Sequence, residues 1–224
     1  MKLRRGLQML AFTALWIATL FGAAGRLDWI RGWIYVAIYL GSMAVLGIVV
    51  RRMNPAVIEA RSKWLRKDTK AFDKVFLPVF ILLTFIQLVV AGLDAVRFHW
   101  SSMPSGLLYP GVLLLLAGIA LMGWVMTVNP HAETTVRIQT ERGHRVITSG
   151  PYRFVRHPMY TGAILLYVAT PLVLGSLWAL VVGAAIVLAF FWRTLLEDRT
   201  LRAELLGYEE YAARTRYRLI PGIW

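Results

Sequence analysis

"MYTGAILLYVATPLVLGSLWALVVGAAIVLAFFW", residues 159–192, is an apolar run too long for one crossing of a bilayer, which takes roughly 20 residues of α-helix. Pro171 and the turn residues Leu174-Gly175-Ser176 divide it, so it reads as a hairpin of two short helices whose ends return to the same side. Working outward, four further stretches have spanning length, at about 7–25, 32–50, 75–96 and 107–128. Composition agrees: 58% of the 224 residues are hydrophobic and 17% charged, and the mean hydropathy is +0.59. The expected fold class is all-α, a polytopic integral membrane helical bundle of about six crossing helices with a C-terminal helical hairpin. Residues 1–224 read as one domain, with a four-span part at 1–128 and a loop, hairpin and tail at 129–224.

Charge orients the bundle. Lys2, Arg4 and Arg5 precede the first span, eight basic residues occupy 51–74, five occupy 129–157 and six follow from Arg193, so 22 of 25 lie on one side. Only Arg26, Arg31 and Arg97 lie on the other. The positive-inside rule then puts both termini and the two large loops in the cytoplasm. The net charge of +13 is dispersed along membrane borders and matches no nucleic-acid-binding signature. A lipid bilayer with anionic headgroups is the expected partner, and nucleic acid is not.

The start of the chain, Lys2 to Arg5 followed by an apolar run and Gly22-Ala23-Ala24, imitates a secretory signal peptide and is read as a retained span. There is no cysteine, and His99, His131, His144 and His157 include no pair at the i, i+4 spacing of a helical metal site, so no metal is expected. Residues 51–74, with Ile58, Trp64, Leu65 and Phe72 among basic residues, read as an amphipathic helix on the membrane surface or as cover for a lipid entrance. Gln87 and Asp94 share a face of the third span, and Asp94, three residues before Arg97, is expected to form a local ion pair.

The densest polar chemistry adjoins the hairpin. "VRIQTERGHRVITSGPYRFVRHP", from Val136 to Pro158, is broken by Gly143, Gly150, Pro151 and Pro158 into a constrained loop. Pro158 suits the first position of a helix, which would leave the amides of Met159 and Tyr160 unpaired toward the loop side. Such a helix start attracts a carboxylate or phosphate, and Arg153 and Arg156 add positive charge. The hairpin should return Glu197 and Asp198 to the neighbourhood of His157 and Tyr160. Cationic groups, acids and aromatics at a membrane edge suit a ligand with charges of both signs, such as S-adenosylmethionine.

"GPYRFVRHPMYTG" (150–162), followed by "LLEDRTLRAELLGYEEYAARTRYRLIPGIW" (195–224), resembles the isoprenylcysteine carboxyl methyltransferase family, with its bacterial, phospholipid and thiol methyltransferase relatives. The resemblance covers roughly residues 129–224. It implies an S-adenosylmethionine site built by the loop and last hairpin, open to the cytoplasm, and a lipophilic substrate arriving from the bilayer. With Tyr152 and Arg153 of the same stretch, the expected cofactor-binding residues are Gly150, Pro151, Tyr152, Arg153, Arg156, His157, Pro158, Tyr160, Gly162, Glu197 and Asp198. His157, Tyr160, Glu197 and Arg202 are the expected catalytic residues, with Arg199 as an alternative to Arg202. The family usually carries Glu-Glu where this chain has Glu197-Asp198.

The implied reaction is direct transfer of a methyl group, resting on alignment and desolvation. The acceptor could be an isoprenylcysteine-type carboxylate, a phospholipid amine or a thiol, and a neutral nucleophile would need His157 or Glu197 as base. Tyr208 and Tyr211 read as packing anchors. The expected location is the cell (inner) membrane of a prokaryote. Two other readings stay open: an NADPH-dependent membrane sterol-type reductase, which shares a His-Pro-x-Tyr-like stretch, and a transporter, which would show broken helices in both halves.

Overall fold

The computed structural model describes residues 2–61 and 68–224, with side chains from Gly6 onward. All regular structure among the described residues is helical. Among the described residues five segments are long and apolar enough to cross a membrane, built on helices α1 (Lys2–Ala24), α2 (Ile30–Met53), α4 (Ala71–Gly92, continued by a π-helical turn to Phe98), α5 (Leu108–Val128, preceded by a 3₁₀ turn from Ser105) and α7 (Leu177–Glu204). Helix α6 (Pro158–Leu174) is apolar but shorter, and α3 (Pro55–Arg61) and α8 (Tyr208–Arg214) are single short helices. Leu7, Leu10, Leu113, Val181 and Leu188 stand exposed on the bundle's outside, as a lipid-facing surface requires. The protein is a multi-pass integral membrane protein.

The hairpin is asymmetric. Its first arm has the expected short length, but α7 runs 28 residues, about 42 Å, and is not a short helix. Its apolar run ends at Trp192, yet Leu195-Leu196-Glu197 and Leu201-Arg202-Ala203-Glu204 are good helix formers and carry the helix on past the border. Those extra turns bring Arg193, Glu197 and Asp198 to the site.

Residues 51–74 do not form one surface helix. Arg51 to Met53 belong to α2 and Ala71 to Lys74 to α4, with α3 between; Trp64 and Leu65 lie outside the described residues. Helix α3 buries Val57 and Ala60, and Arg61 donates to the carbonyls of Ala132 (3.0 Å) and Glu133 (3.3 Å). The segment thus ties into the second large loop.

Helices α5 and α6 approach most closely. A methyl group built on Gly118 would come within 2.6 Å of the Gly162 carbonyl oxygen, and one on Gly162 within 2.8 Å of the Gly118 carbonyl oxygen. Only glycine permits this contact, which seats α6 against α5 and aims its first turn. Gln87 is buried at mid-span, and its Nε2 donates to the carbonyls of Tyr167 (3.0 Å) and Ala179 (3.2 Å), joining α4 to both hairpin arms.

The bundle end away from the loop is closed by Asp94, not by an ion pair with Arg97. Arg97 is exposed, whereas the Asp94 carboxylate accepts from Ser101 Oγ (2.7 Å), Ser176 Oγ (2.5 Å) and the Trp178 amide (3.2 Å). A π-helical turn, Leu93–Phe98, widens the end of α4 enough to aim the carboxylate at the hairpin tip. Replacing Asp94 by Ala leaves these donors unpaired and should lower stability by about 3 kcal/mol. Melting of the detergent-solubilised variant checks this, and ligand affinity at the opposite end should not change in the folded fraction.

Candidate active site

The motif region starts from a sharp turn. Gly150 has φ +60°, and a methyl group there would meet Trp124 Nε1 at 3.1 Å, so glycine is required by both conformation and contact. A 3₁₀ turn follows at Gly150–Arg153 with proline in its first positions. The chain then runs alongside the tail, where the amides of Arg156 and His157 donate to the carbonyls of Tyr217 and Arg218, each at 2.9 Å.

Asp198 pulls these pieces together. Its side chain is 1% exposed, and it accepts from Arg156 Nε (2.8 Å) and Nη2 (3.1 Å), Tyr208 Oη (3.0 Å), Arg202 Nε (3.3 Å) and Arg218 Nε (3.1 Å). His157 Nε2 lies 3.2 Å from the same carboxylate. Arg156 is also held through Nη1 by the carbonyls of Thr215 and Arg216, at 2.8 Å each. A carboxylate this far from water is tolerable only with such a set of partners.

Between this cluster and the loop lies a half-enclosed cavity. Its walls include Tyr152, Tyr160, Tyr208 and Tyr211, the acids Glu133 and Glu197, and Arg145, Arg156 and Arg193. Glu197 accepts a short hydrogen bond from the Tyr160 hydroxyl. Glu133 is held by Arg137, with Nε at 2.7 Å. Hydrogen bonding to Glu133 in turn keeps the Arg137 guanidinium firmly charged. Burial pushes the phenols of Tyr152, Tyr208 and Tyr211 up, so all three act as neutral hydroxyls. On the loop, the rings of His131 and His144 pack in a tilted arrangement, centroids 4.6 Å apart and planes at 37°. Burial, then the neighbouring His131, brings His144 down to about 4.

A second cavity, mostly apolar, opens between the helices and is lined by Phe12, Trp16, Phe76, Phe80, Phe85 and Phe190 among others. The two cavities share Glu133, Met159, Tyr160 and Arg193. Arg193 sits over the rings of Phe76 (4.5 Å) and Tyr160 (4.9 Å). Its Nη2 donates to Asp73 Oδ2 (2.9 Å) and the Thr134 carbonyl (2.8 Å). Its Nε lies 2.8 Å from Asp73 Oδ1, an ionic contact rather than a hydrogen bond. Nη1 donates to nothing among the described residues.

Residues 107–205 match the family model described as phospholipid methyltransferase. A probable protein-S-isoprenylcysteine O-methyltransferase of Oryza sativa subsp. indica is 28% identical over 109 residues, 47% of this chain and 57% of that protein. Protein-S-isoprenylcysteine O-methyltransferase B of Arabidopsis thaliana is 26% identical over 118 residues, 52% of this chain and 58% of that protein. The solved eukaryotic intramembrane Ras methyltransferase, isoprenylcysteine carboxyl methyltransferase, shares the fold at TM-score 0.58 and 19% identity, over 95% of this chain and 75% of that one. About half of the chain is similar to members of the isoprenylcysteine carboxyl methyltransferase family, and it shares the fold of the solved one. It spans a little over half the length of the curated relatives it matches.

Against the residues expected from the family motif, the structure gathers Tyr152, Arg156, His157, Tyr160 and Glu197 on the wall of one cavity. Asp198 stands behind that wall as the hub of the clamp, and Pro158 opens α6. Gly150 and Gly162 face α5, Pro151 is buried, Arg153 is exposed and Arg202 pairs with Asp198 and Glu209 (2.5 Å) at the cluster's edge. One expectation fails: the Tyr160 amide is not unpaired, since it donates to the His157 carbonyl at 3.0 Å and closes a tight first turn. Sequence reading also passed over Arg193, Asp73, Glu133, Arg137 and His131. Only the helix packing pairs Asp73 with Arg193, across 120 residues. Tyr208 had the one readable signal, its place beside the acidic pair on a Gly-Tyr-x-x-Tyr tail.

Two outcomes follow. Asp198→Ala strands Arg156 and Arg218 in a poorly solvated place and should cost about 3–5 kcal/mol, read as early melting, while Asp198→Asn, which keeps some acceptor capacity, should cost less. His144 is lowered relative to its ordinary value near 6.5, so the unfolded loop takes up a proton before the folded one does. Its contribution to stability is therefore full above about pH 6.5 and is lost as the pH falls toward about 4. Hydrogen exchange over residues 129–147, corrected for intrinsic rates, should show protection falling between pH 7 and pH 5. A His144→Gln variant should show a smaller drop.

Proposed function

We propose that this protein is an integral membrane methyltransferase that moves a methyl group from S-adenosylmethionine to a lipophilic acceptor arriving from the bilayer, most similar to an isoprenylcysteine-type carboxylate. The observation carrying this reading is the shared wall of Glu133, Met159, Tyr160 and Arg193 between a polar cavity and an apolar one. Two reactants of opposite solubility could meet there without either crossing the other's solvent.

The residues present fit the cofactor. Glu197 and Glu133 offer carboxylates to its cationic groups, Arg156 and Arg145 offer charge to its carboxylate, and four tyrosine rings suit a sulfonium or an aromatic base. When bound, the cofactor supplies a methyl carbon already made electrophilic by its sulfonium. Tyr160, fixed by Glu197 and by stacking on His157 (ring centroids 5.8 Å, interplanar angle 4°), holds the boundary between the two spaces. The unused Nη1 of Arg193 would receive an anionic acceptor group at the end of the apolar cavity. Exclusion of water by Phe76, Phe80 and Phe190 would leave that nucleophile poorly solvated and reactive. With an ionised acceptor no base is needed. The basic residues concentrated at this end support a cytoplasmic site, with both termini in the cytoplasm and the protein in the inner membrane of a prokaryote.

Calorimetric titration of the detergent-solubilised protein tests the reading. S-adenosylhomocysteine should bind and NADPH should not; the reverse result overturns it. Glu197→Gln should weaken that binding or slow turnover by the equivalent of about 1–3 kcal/mol. Arg193→Lys, which keeps a charge for Asp73 but loses Nη1, should raise the acceptor's KM and leave S-adenosylhomocysteine affinity unchanged.

A further inference from the structure

Helix α3 ends in a cation that the motif does not account for. Arg61 lines the apolar cavity and not the polar one, and its Nη1 is committed to the carbonyls of Ala132 (3.0 Å) and Glu133 (3.3 Å). Its Nε and Nη2 donate to nothing among the described residues, and no carboxylate among them pairs with it. Burial, then the nearby charge of Arg193, pulls this guanidinium below its ordinary value. A partly buried cation without a counter-charge is unfavourable beside carbon, so its retention here calls for a ligand.

The acids around it are occupied elsewhere. Asp73 accepts from Arg193 Nη2 and from the Val136 amide. Glu133 is held by Arg137 Nε at 2.7 Å and lies 3.4 Å from Arg142 Nη1. Two guanidiniums therefore border one apolar cavity, and Asp73 neutralises only the first of them. Arg193 leaves Nη1 unused and Arg61 leaves Nε and Nη2 unused.

The chemistry of the pair selects an acceptor. A carboxylate has two oxygens and can give one to each guanidinium. An amine suits neither: its ammonium form is repelled by both charges, and its neutral form offers them no charge. In the transfer a carboxylate oxygen bonds the methyl carbon as the carbon–sulfur bond breaks, the electron pair stays on sulfur, and no proton moves. The product is a neutral ester, which no longer attracts the two cations and can return to the bilayer.

We propose that Arg61 is a second acceptor-binding residue, which bridges the carboxylate of a lipophilic acid together with Arg193 and thereby selects acids over amines. This deepens, and rests on, the reading of the apolar cavity as the place where the acceptor enters.

The test measures binding of three ligands to the whole chain in detergent: N-acetyl-S-farnesylcysteine, its carboxamide, which keeps the shape and lacks the charge, and S-adenosylhomocysteine. The wild type should prefer the acid to the amide by more than about tenfold, as expected for charged hydrogen bonds. Arg61→Gln, whose amide can still donate to the Ala132 or Glu133 carbonyl, should cut that preference about tenfold by weakening the acid alone. Its affinity for the amide and for S-adenosylhomocysteine, and its melting temperature, should stay as in the wild type. Arg61→Lys, which keeps the charge but has one nitrogen for both tasks, should cut the preference by a smaller factor. Equal weakening of acid and amide would make Arg61 only a tie for the loop and overturn the proposal. An unchanged preference in both variants, or a wild type that does not distinguish acid from amide, would overturn it as well. Failure of the wild type to bind S-adenosylhomocysteine would remove the cofactor reading of the other cavity, a separate outcome that the comparison of acid with amide does not depend on.

Discussion

The buried carboxylate of Asp198 is the constraint on which the site depends. It joins the segment before α6, the end of α7 and the tail, three pieces far apart in sequence. Its desolvation would be prohibitive alone. Three arginines, a tyrosine and a histidine make it tolerable, and each is thereby fixed in position. The same reasoning explains why an aspartate serves here. The carboxylate already lies 2.8 Å from Arg156 Nε and 3.0 Å from Tyr208 Oη, so a longer side chain would have to fold back or push one partner away. Glu197, one residue earlier on the helix, points to the cavity instead, and the acidic pair divides into a clamp and a wall residue.

Two other buried aspartates do comparable work elsewhere. Asp73 accepts from the Val136 amide (2.5 Å) and from Arg193, fixing the loop and α7 to the start of α4. Asp94 caps the hairpin at the far end. Helix association in lipid gains little from the hydrophobic effect, so register must come from close packing and from polar groups with few satisfactory alternatives. The α5–α6 glycine contact supplies the first, and Gln87 with the three aspartates supplies the second. Arg193 receives its place at the boundary between the cavities from this framework rather than from its neighbours in sequence.

The sequence carried the bundle, the hairpin and the motif because each is a local signal: apolar length, helix-breaking residues and proline at a helix start. Locality also explains what could not be read. The end of the apolar run at Trp192 marks where the membrane stops, but helix propensity continues to Glu204, so the second arm was taken as short. Asp94 has Arg97 as its obvious neighbour by spacing, yet the π-helical turn and the hairpin tip offer better donors. The pairing of Asp73 with Arg193 and the exposure of His131 to a cavity belong to topology, which no window of residues contains. Gly150 and Gly162 were noticed as part of the motif, and their contacts with α5 give them a packing role within it.

The shared wall between the cavities sets conflicting demands that its residues resolve together. A boundary between a water-filled and a lipid-facing space must present polarity to one side and carbon to the other, and at the reaction centre it must be thin. Tyr160 does this with one side chain: its hydroxyl is committed to Glu197, while its ring packs on Phe190 (centroids 5.5 Å apart) and lies beneath Arg193. Arg193 has the complementary form, two nitrogens directed to Asp73 and Thr134, one left free, and a flat guanidinium face against two rings. A lysine could supply the charge but not that face, and a phenylalanine in place of Tyr160 could supply the ring but would leave Glu197 without its donor. The narrowness of the boundary therefore depends on side chains that are polar at one end and planar along their length, held by the buried carboxylates behind them.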